Sequence, residues 1–170
     1  MTNPVLENIR ERRSIKKFSK YELNDTEIST ILDAGRWAPS DANRQPWRFI
    51  VIRDPEIKRE LVSRAKRATI FNLEIADASA VIAVCVNAEE DPDHFVEDGA
   101  VATQNMALAA HSLGLPSYCL GVYQIRNGRG SVENELKKLL DIPVEYRLIS
   151  LLPIGKADGG KQPARKGLRE

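Results

Sequence analysis

Along this chain, helical periods of apolar residues alternate with short runs that are apolar throughout. Asn3-Pro4 opens a helix in the favoured order of cap then proline, with Val5, Leu6 and Ile9 as its expected buried stripe. Asn24 and Glu27 form a capping-box pattern, and Leu23 with Ile28 a hydrophobic staple. Ile28, Ile31, Leu32 and Gly35 continue that second helix at the right spacing. "WRFIVI", Trp47 to Ile52, predicts a strand, and Asp54-Pro55 opens a third helix carrying Ile57, Leu61, Val62 and Ala65. Ala78 to Val86 is a continuous apolar run, as in a strand covered on both faces.

The stretch from Pro92 to Leu113 is helical and rich in small residues (Gly99, Ala100, Ala102, Ala107, Ala109, Ala110), so it belongs at the centre of the domain or at a subunit contact. Gly114 ends it. A strand over Ser117–Val122, a helix over Ser131–Leu140 and a last strand in "YRLISLLPIG" follow. The sum is about four strands and five helices in mixed order, an α+β layer fold in one domain spanning 1–170. The tail, "KADGGKQPARKGLRE", has no apolar period.

Composition removes several functions. The formal net charge is +1, which gives no overall attraction to nucleic acid or an anionic membrane. No apolar run approaches the roughly 18 residues of a spanning helix, and the N-terminus lacks a signal-peptide core, so a soluble cytoplasmic protein is expected. Cys85 and Cys119 sit in apolar surroundings without metal-ligand spacing and are expected to be buried thiols. His94 and His111 have no ligand cluster to join them into a zinc site.

Three places carry chemistry. Arg12, Arg13 and Ser14, followed by Lys16 and Lys17, suit a phosphate, because guanidinium binds two oxygens at once and a hydroxyl adds a donor. The same cations also suit the last turn of a helix, where its dipole favours them. Between Trp37 and Trp47, "APSDANRQPW" holds Asn43 and Gln45, amides that donate and accept at once, in a proline-stiffened stretch that fits a ligand loop or a rigid turn equally. The tryptophans could wall such a site or belong to the core. In "GLPSYCLGV", Gly121 lets a backbone N–H approach a ligand, or else marks a bulge.

Taken together and in order, "RRSIKKF", "APSDANRQPWRF", "DGAVATQNMALAAHSLGLPSYCLG" and the basic residues after "LLPIGKADGG" resemble the FMN-dependent nitroreductase family over nearly the whole chain. The resemblance implies the nitroreductase-like fold, a central mixed or antiparallel sheet flanked by helices in an intertwined homodimer. It also implies FMN at the subunit interface and a tail, 156–170, resting on the partner. Arg12, Arg13 and Ser14 would hold the phosphate and ribityl end, Lys16 the N1/O2 edge, Asn43 and Gln45 the pyrimidine side. Leu120 and Gly121 would face flavin N5, and Arg165, with Lys166, would supply the C-terminal cation at the phosphate.

The implied reaction is ping-pong. NAD(P)H gives hydride to N5, and a nitroaromatic, quinone or similar flat acceptor takes the electrons; no protein side chain is expected to be catalytic, since the flavin carries the chemistry. The absence of a GxGxxG fingerprint fits a nicotinamide that stacks on flavin. Alternatives within the fold are reductive dehalogenation, flavin fragmentation, or FMN storage or sensing without turnover; a flavin-free interaction domain leaves Asn43 to Trp47 unexplained. The chain departs from longer family members in having only Arg64–Ile75 available to cover the flavin, and Leu120 stands where some members carry an acid.

Overall fold

The computed structural model describes residues 3–68, 74–123, 131–157 and 165–166. The elements follow as α1 (Pro4–Glu11), α2 (Asp25–Arg36), β1 (Trp47–Ile52), α3 (Pro55–Ala68), β2 (Ala80–Asn87), α4 (Phe95–Ser112), β3 (Leu120–Gly121), α5 (Val132–Leu139) and β4 (Tyr146–Ile154). The strands form one sheet in the order β1-β2-β4-β3, and every paired neighbour is antiparallel. The expected α+β architecture is therefore present, with the sheet antiparallel rather than mixed.

β2 explains the layering. Its alternate residues enter two cores: Val81, Ala83 and Cys85 pack with Leu61 and Ala65 of α3 and Leu136 of α5. Ala80, Ile82 and Val84 pack with Ile28 and Ile31 of α2 and Met106 and Ala110 of α4. This is the period of two expected of a strand with both faces covered. The register between β2 and β4 shifts at Val84/Cys85, which pair with Ser150 and Leu148 and pass over Ile149. Such a bulge bends the strand locally. It lets Leu148 and Leu151 reach the same core, and the Ile149 carbonyl accepts the N–H groups of both Val122 (2.9 Å) and Tyr123 (3.2 Å).

Helix starts behave as their sequences require. Asn3 Oδ1 accepts from Val5 and Leu6 N–H, and Asn24 and Glu27 complete a reciprocal capping box. Asp54 caps α3 through the N–H groups of Glu56 and Ile57, and Ser131 caps α5 through Asn134 N–H. α4 begins at Phe95 rather than Pro92, because Asp91 Oδ1 accepts the His94 N–H (3.1 Å) and holds the preceding residues in a turn.

Three expectations need correction, and the choice left open for the tryptophans divides between them. No residue of α1 is buried, and Val5 is 65% exposed with Leu6 and Ile9 also open. The helix is tied to α4 by a polar contact, Asn8 Nδ2 to Leu108 O (3.1 Å), and its apolar stripe faces away from this chain's core. Cys119 is exposed while Cys85 is buried. Trp47 is core, whereas Trp37 is 72% exposed, with the Arg36 guanidinium 5.4 Å from its ring. β3 is shorter than Ser117–Val122: Leu120 and Gly121 pair with β4 as a strand, while Ser117 makes isolated bridges, to Ile154 on one side and to Ser14 on the other, where its carbonyl accepts the Ile15 N–H (3.1 Å). The tail 156–170 lies largely outside the described residues. Among the described residues no helix is long and apolar enough to cross a membrane.

α4 meets the bulge closely at Gly99, where a Cβ would stand 2.6 Å from Ile149 Cγ1 and 2.9 Å from its Cβ. Because the obstacle is the branched root of Ile149 and not a flexible tip, Gly99→Ala is expected to cost about 1–3 kcal/mol by overpacking. Thermal unfolding measures this, and an unchanged midpoint would show that Ile149 has room to yield.

Candidate functional site

After α1 the chain runs extended past the 117–121 segment. Ser14 forms a parallel bridge with Ser117. Side chains alternate along an extended stretch, so Arg12, Ser14 and Lys16 share one side. The Lys16 ammonium stands 5.8 Å from the Tyr118 ring, and Phe18 stacks on that ring at 6.5 Å. Arg13 is directed elsewhere: its NH1 donates to the carbonyls of Arg10 and Arg12 (2.8 Å to the latter), capping the end of α1 as cations at helix C-termini do. Of the three residues in that cluster, Ser14 is the one whose backbone bridges the 117–121 segment, at Ser117.

Gly121 is exposed, and a Cβ built on it would meet nothing within 4 Å. Its φ is not positive. Among the described residues neither a turn nor packing requires a glycine there, and the approach to its backbone is open. Leu120 beside it is half-buried against the α3/α5 core.

Chemistry near this edge is quiet at neutral pH. Burial, with Glu74 nearby, pushes the Tyr118 phenol up to about 12. Cys119 is exposed as a residue, but partial burial of its thiol raises it, against a hydrogen bond with Ser150 and the Arg12 charge. Burial lowers His111, and Arg12 and Arg13 add to that shift while Glu11 opposes it. These groups remain neutral thiol, phenol and imidazole, without an ionised nucleophile or acid–base pair.

A groove of about 530 Å³ adjoins Lys16, floored by Phe18 and Val62 and rimmed by Lys17, Lys66 and Glu74. Lys66 and Glu74 come from the Arg64–Ile75 stretch expected to cover a ligand; residues 69–73 of that stretch lie outside the described ones. Arg165 and Lys166 are both exposed.

The second half of the expected site is the loop before β1. Asp41–Asn43 form a single 3-10 turn, and Ala42, Asn43 and Gln45 all have positive φ (46°, 56° and 53°). Residues with a Cβ pay roughly 1–2 kcal/mol each in the left-handed region. Side-chain hydrogen bonds compensate. Ser40 Oγ accepts the Gln45 N–H (3.0 Å), and Asp98 Oδ1 on α4 accepts the Asp41 N–H (3.3 Å). The Arg44 guanidinium pairs with Asp41 and lies 3.4 Å from Asp91. Asp41, Asp91 and His94 bring one ligand-type atom each within 4.8 Å, but the Arg44 charge already stands among them. Asn43 and Gln45 are exposed at the tip, and Gln45 lines a second groove of about 540 Å³ with Leu32, Trp47 and Phe49.

The two halves do not meet within one chain. β1 and β3 are opposite edges of a four-stranded sheet, and three inter-strand spacings separate them by about 14 Å. Sequence reasoning named residues in both segments but not the separation between them. It also missed the Asp91–His94–Asp98 support of the loop; the signal was the string "EEDPDHFVED", acids gathered ahead of an apolar helix.

The Nitroreductase family profile matches residues 9–74 and 64–156. A protein of Archaeoglobus fulgidus, provisionally named NADH dehydrogenase/NAD(P)H nitroreductase, is 38% identical over 153 residues, covering 88% of this chain and 83% of that one. A Methanothermobacter thermautotrophicus protein of the same name is 37% identical, covering 89% of this chain and 76% of the other. A Desulfovibrio desulfuricans structure, described as a nitroreductase in complex with FMN, superposes with a TM-score of 0.82 at 30% identity, covering 99% of this chain and 95% of that one. With its antiparallel sheet, its Arg12–Lys16 segment against Ser117 and its amide-bearing loop ahead of β1, this chain belongs to the nitroreductase family.

Proposed function

We propose that this protein is an FMN-dependent oxidoreductase that draws on NAD(P)H and reduces a nitroaromatic, quinone or similar flat acceptor. The observation that carries the reading is the pairing of the Arg12–Lys16 segment with the 117–118 stretch that leads to Gly121, whose missing Cβ leaves open space that no described residue fills. The donor set fits the cofactor bound by the Desulfovibrio desulfuricans relative. A guanidinium and a hydroxyl suit a terminal phosphate, and a cation two residues further on suits the electron-rich edge of a ring. FMN, when bound, supplies the redox chemistry, accepting hydride from NAD(P)H and returning two electrons to the acceptor by a ping-pong sequence.

The chain's own residues bind and orient. Arg12 and Ser14 hold the phosphate end, joined by Arg165 and Lys166. Lys16 places positive charge at the ring edge, which favours the more anionic reduced form. Gly121 offers its N–H to the reacting side of the ring, and half-buried Leu120 gives that strand an apolar anchor. Arg13 contributes by fixing the end of α1, from which Arg12 and Ser14 project. Asn43 and Gln45 read the polar ring edge from a second copy of the chain, since they lie at the opposite sheet edge from Gly121. The exposed apolar stripe of α1 supports such a homodimer.

The visible spectrum of the purified protein tests the core of this proposal. Flavin bands that bleach on anaerobic addition of NADH or NADPH, and return with a quinone, are expected. Bands that persist with both nicotinamides would instead favour storage or another flavin reaction.

Gly121→Ala is expected to leave stability within about 0.5 kcal/mol, because the new methyl meets no atom of the described residues within 4 Å. It is expected to weaken FMN binding at least several-fold, since the methyl stands where the ring approaches. Equal FMN affinity in that variant would remove Gly121 from the site.

Co-expression tests the shared site. Arg12→Ala and the double variant Asn43→Ala/Gln45→Ala should each bind FMN weakly, yet together regain one tight site per mixed dimer. A mixture as weak as its parents would sink the two-chain site.

A further inference from the structure

Lys16 is exposed and carries its charge on a flexible four-carbon stem. Among the described residues its ammonium has no hydrogen bond and no ion pair; it faces the Tyr118 ring, 5.8 Å from the centroid. At that distance a cation is drawn to the negative face of an aromatic ring.

The ring is itself held in place. Tyr118 is 5% exposed and belongs to the core shared with α3 and α5. Phe18 stacks on it with 20° between the ring planes. Gly155 backs Phe18 in turn: a Cβ there would stand 2.8 Å from Phe18 Cδ1 and 3.2 Å from its Cγ. Backbone hydrogen bonds fasten the three segments that carry these residues. The Ile15 N–H donates to Ser117 O (3.1 Å), Ser19 N–H to Lys156 O (2.7 Å) and Gly155 N–H to Pro116 O (3.2 Å). Burial keeps the phenol neutral, with its pKa pushed up to about 12, so the ring acts on the lysine through its face.

We propose that Tyr118 is a positioning residue for the cofactor: its ring, fixed by the core and by Phe18, holds the Lys16 ammonium where it favours reduced FMN. The proposal rests on the flavin reading for the role of Lys16, whereas the contact between Lys16 and Tyr118 stands on geometry alone.

A free lysine stem samples many rotamers, and a charge spread over them acts weakly at any one point. A fixed ring on one side narrows that spread. At an exposed site such a contact favours the held position by about two- to fivefold. The more negative, reduced state of the flavin gains from that charge, so the ring raises the potential by way of the lysine.

The midpoint potential of the FMN-bound protein tests this, since a ring that only filled the core would not act through Lys16. Lys16→Met is expected to lower the preference for reduced over oxidised FMN about tenfold, about 30 mV for a two-electron couple. Tyr118→Leu is expected to lower it about two- to fivefold, and Tyr118→Phe to keep the wild-type value. The double variant Lys16→Met/Tyr118→Leu should match Lys16→Met alone. Should Tyr118→Leu not fold, Tyr118→Met removes the ring while an adaptable side chain fills its place. A second readout is the NMR position of the Lys16 ε-methylene protons in the same proteins. Shielding by the ring should place them upfield in the wild type and Tyr118→Phe relative to the variants without a ring.

A wild-type potential without the ring, a loss that adds in full to that of Lys16→Met, or a Lys16 resonance unmoved by loss of the ring would each overturn the proposal. An unchanged potential in Lys16→Met would instead defeat the flavin-edge reading of Lys16, and the resonance would still decide whether Tyr118 holds it.

Discussion

Complete burial of β2 is the constraint from which the rest of the structure follows. From Ala80 to Val86 every residue is buried, so both faces need a helical layer and both backbone edges need a strand. β1 and β4 supply the edges; α3 with α5 and α2 with α4 supply the faces. Once the centre is filled in this way, polar chemistry is driven outward. The Arg12–Lys16 segment settles against the 117–121 stretch at one rim, and the Asn43–Gln45 loop enters β1 at the other.

Much of this architecture was legible because it is local. The capping box at Asn24, the Asp54-Pro55 start, the strand at Trp47–Ile52 and the unbroken apolar run of β2 each depend on a few neighbouring residues, and each stands where its pattern put it. The stripe of α1 was misread because periodicity reports that a face is apolar but not what covers it. Cys119 was misread for a related reason: apolar neighbours in sequence do not ensure burial where the strand is only two residues long.

The site was legible as residue types but not as an arrangement. "RRSIKKF" shows cations and a hydroxyl, yet only the hydrogen bonds of Arg13 reveal that its guanidinium serves α1. "APSDANRQPW" shows amides, yet three left-handed residues without a glycine among them are invisible to turn rules that expect one. The acids that hold this loop lie on a different element, and no local pattern joins Asp41 to Asp98. The Glu133–Arg147 pair is similar. The two side chains bond doubly, and Arg147 stacks 4.5 Å from the Tyr123 ring, steadying the chain just beyond Gly121 through contacts distant in sequence.

The close seat of α4 on the bulge has a dynamic consequence. A helix lined with small residues might be expected to slide over its sheet, as helices do in shear motions. Here Ile149 fills the notch left by Gly99, so sliding α4 along the sheet would carry that notch away and bring a residue with a Cβ against Ile149. The ratchet has one tooth and one slot. The contact opposes sliding of the helix over the sheet, so changes of shape around this frame fall to the connecting segments.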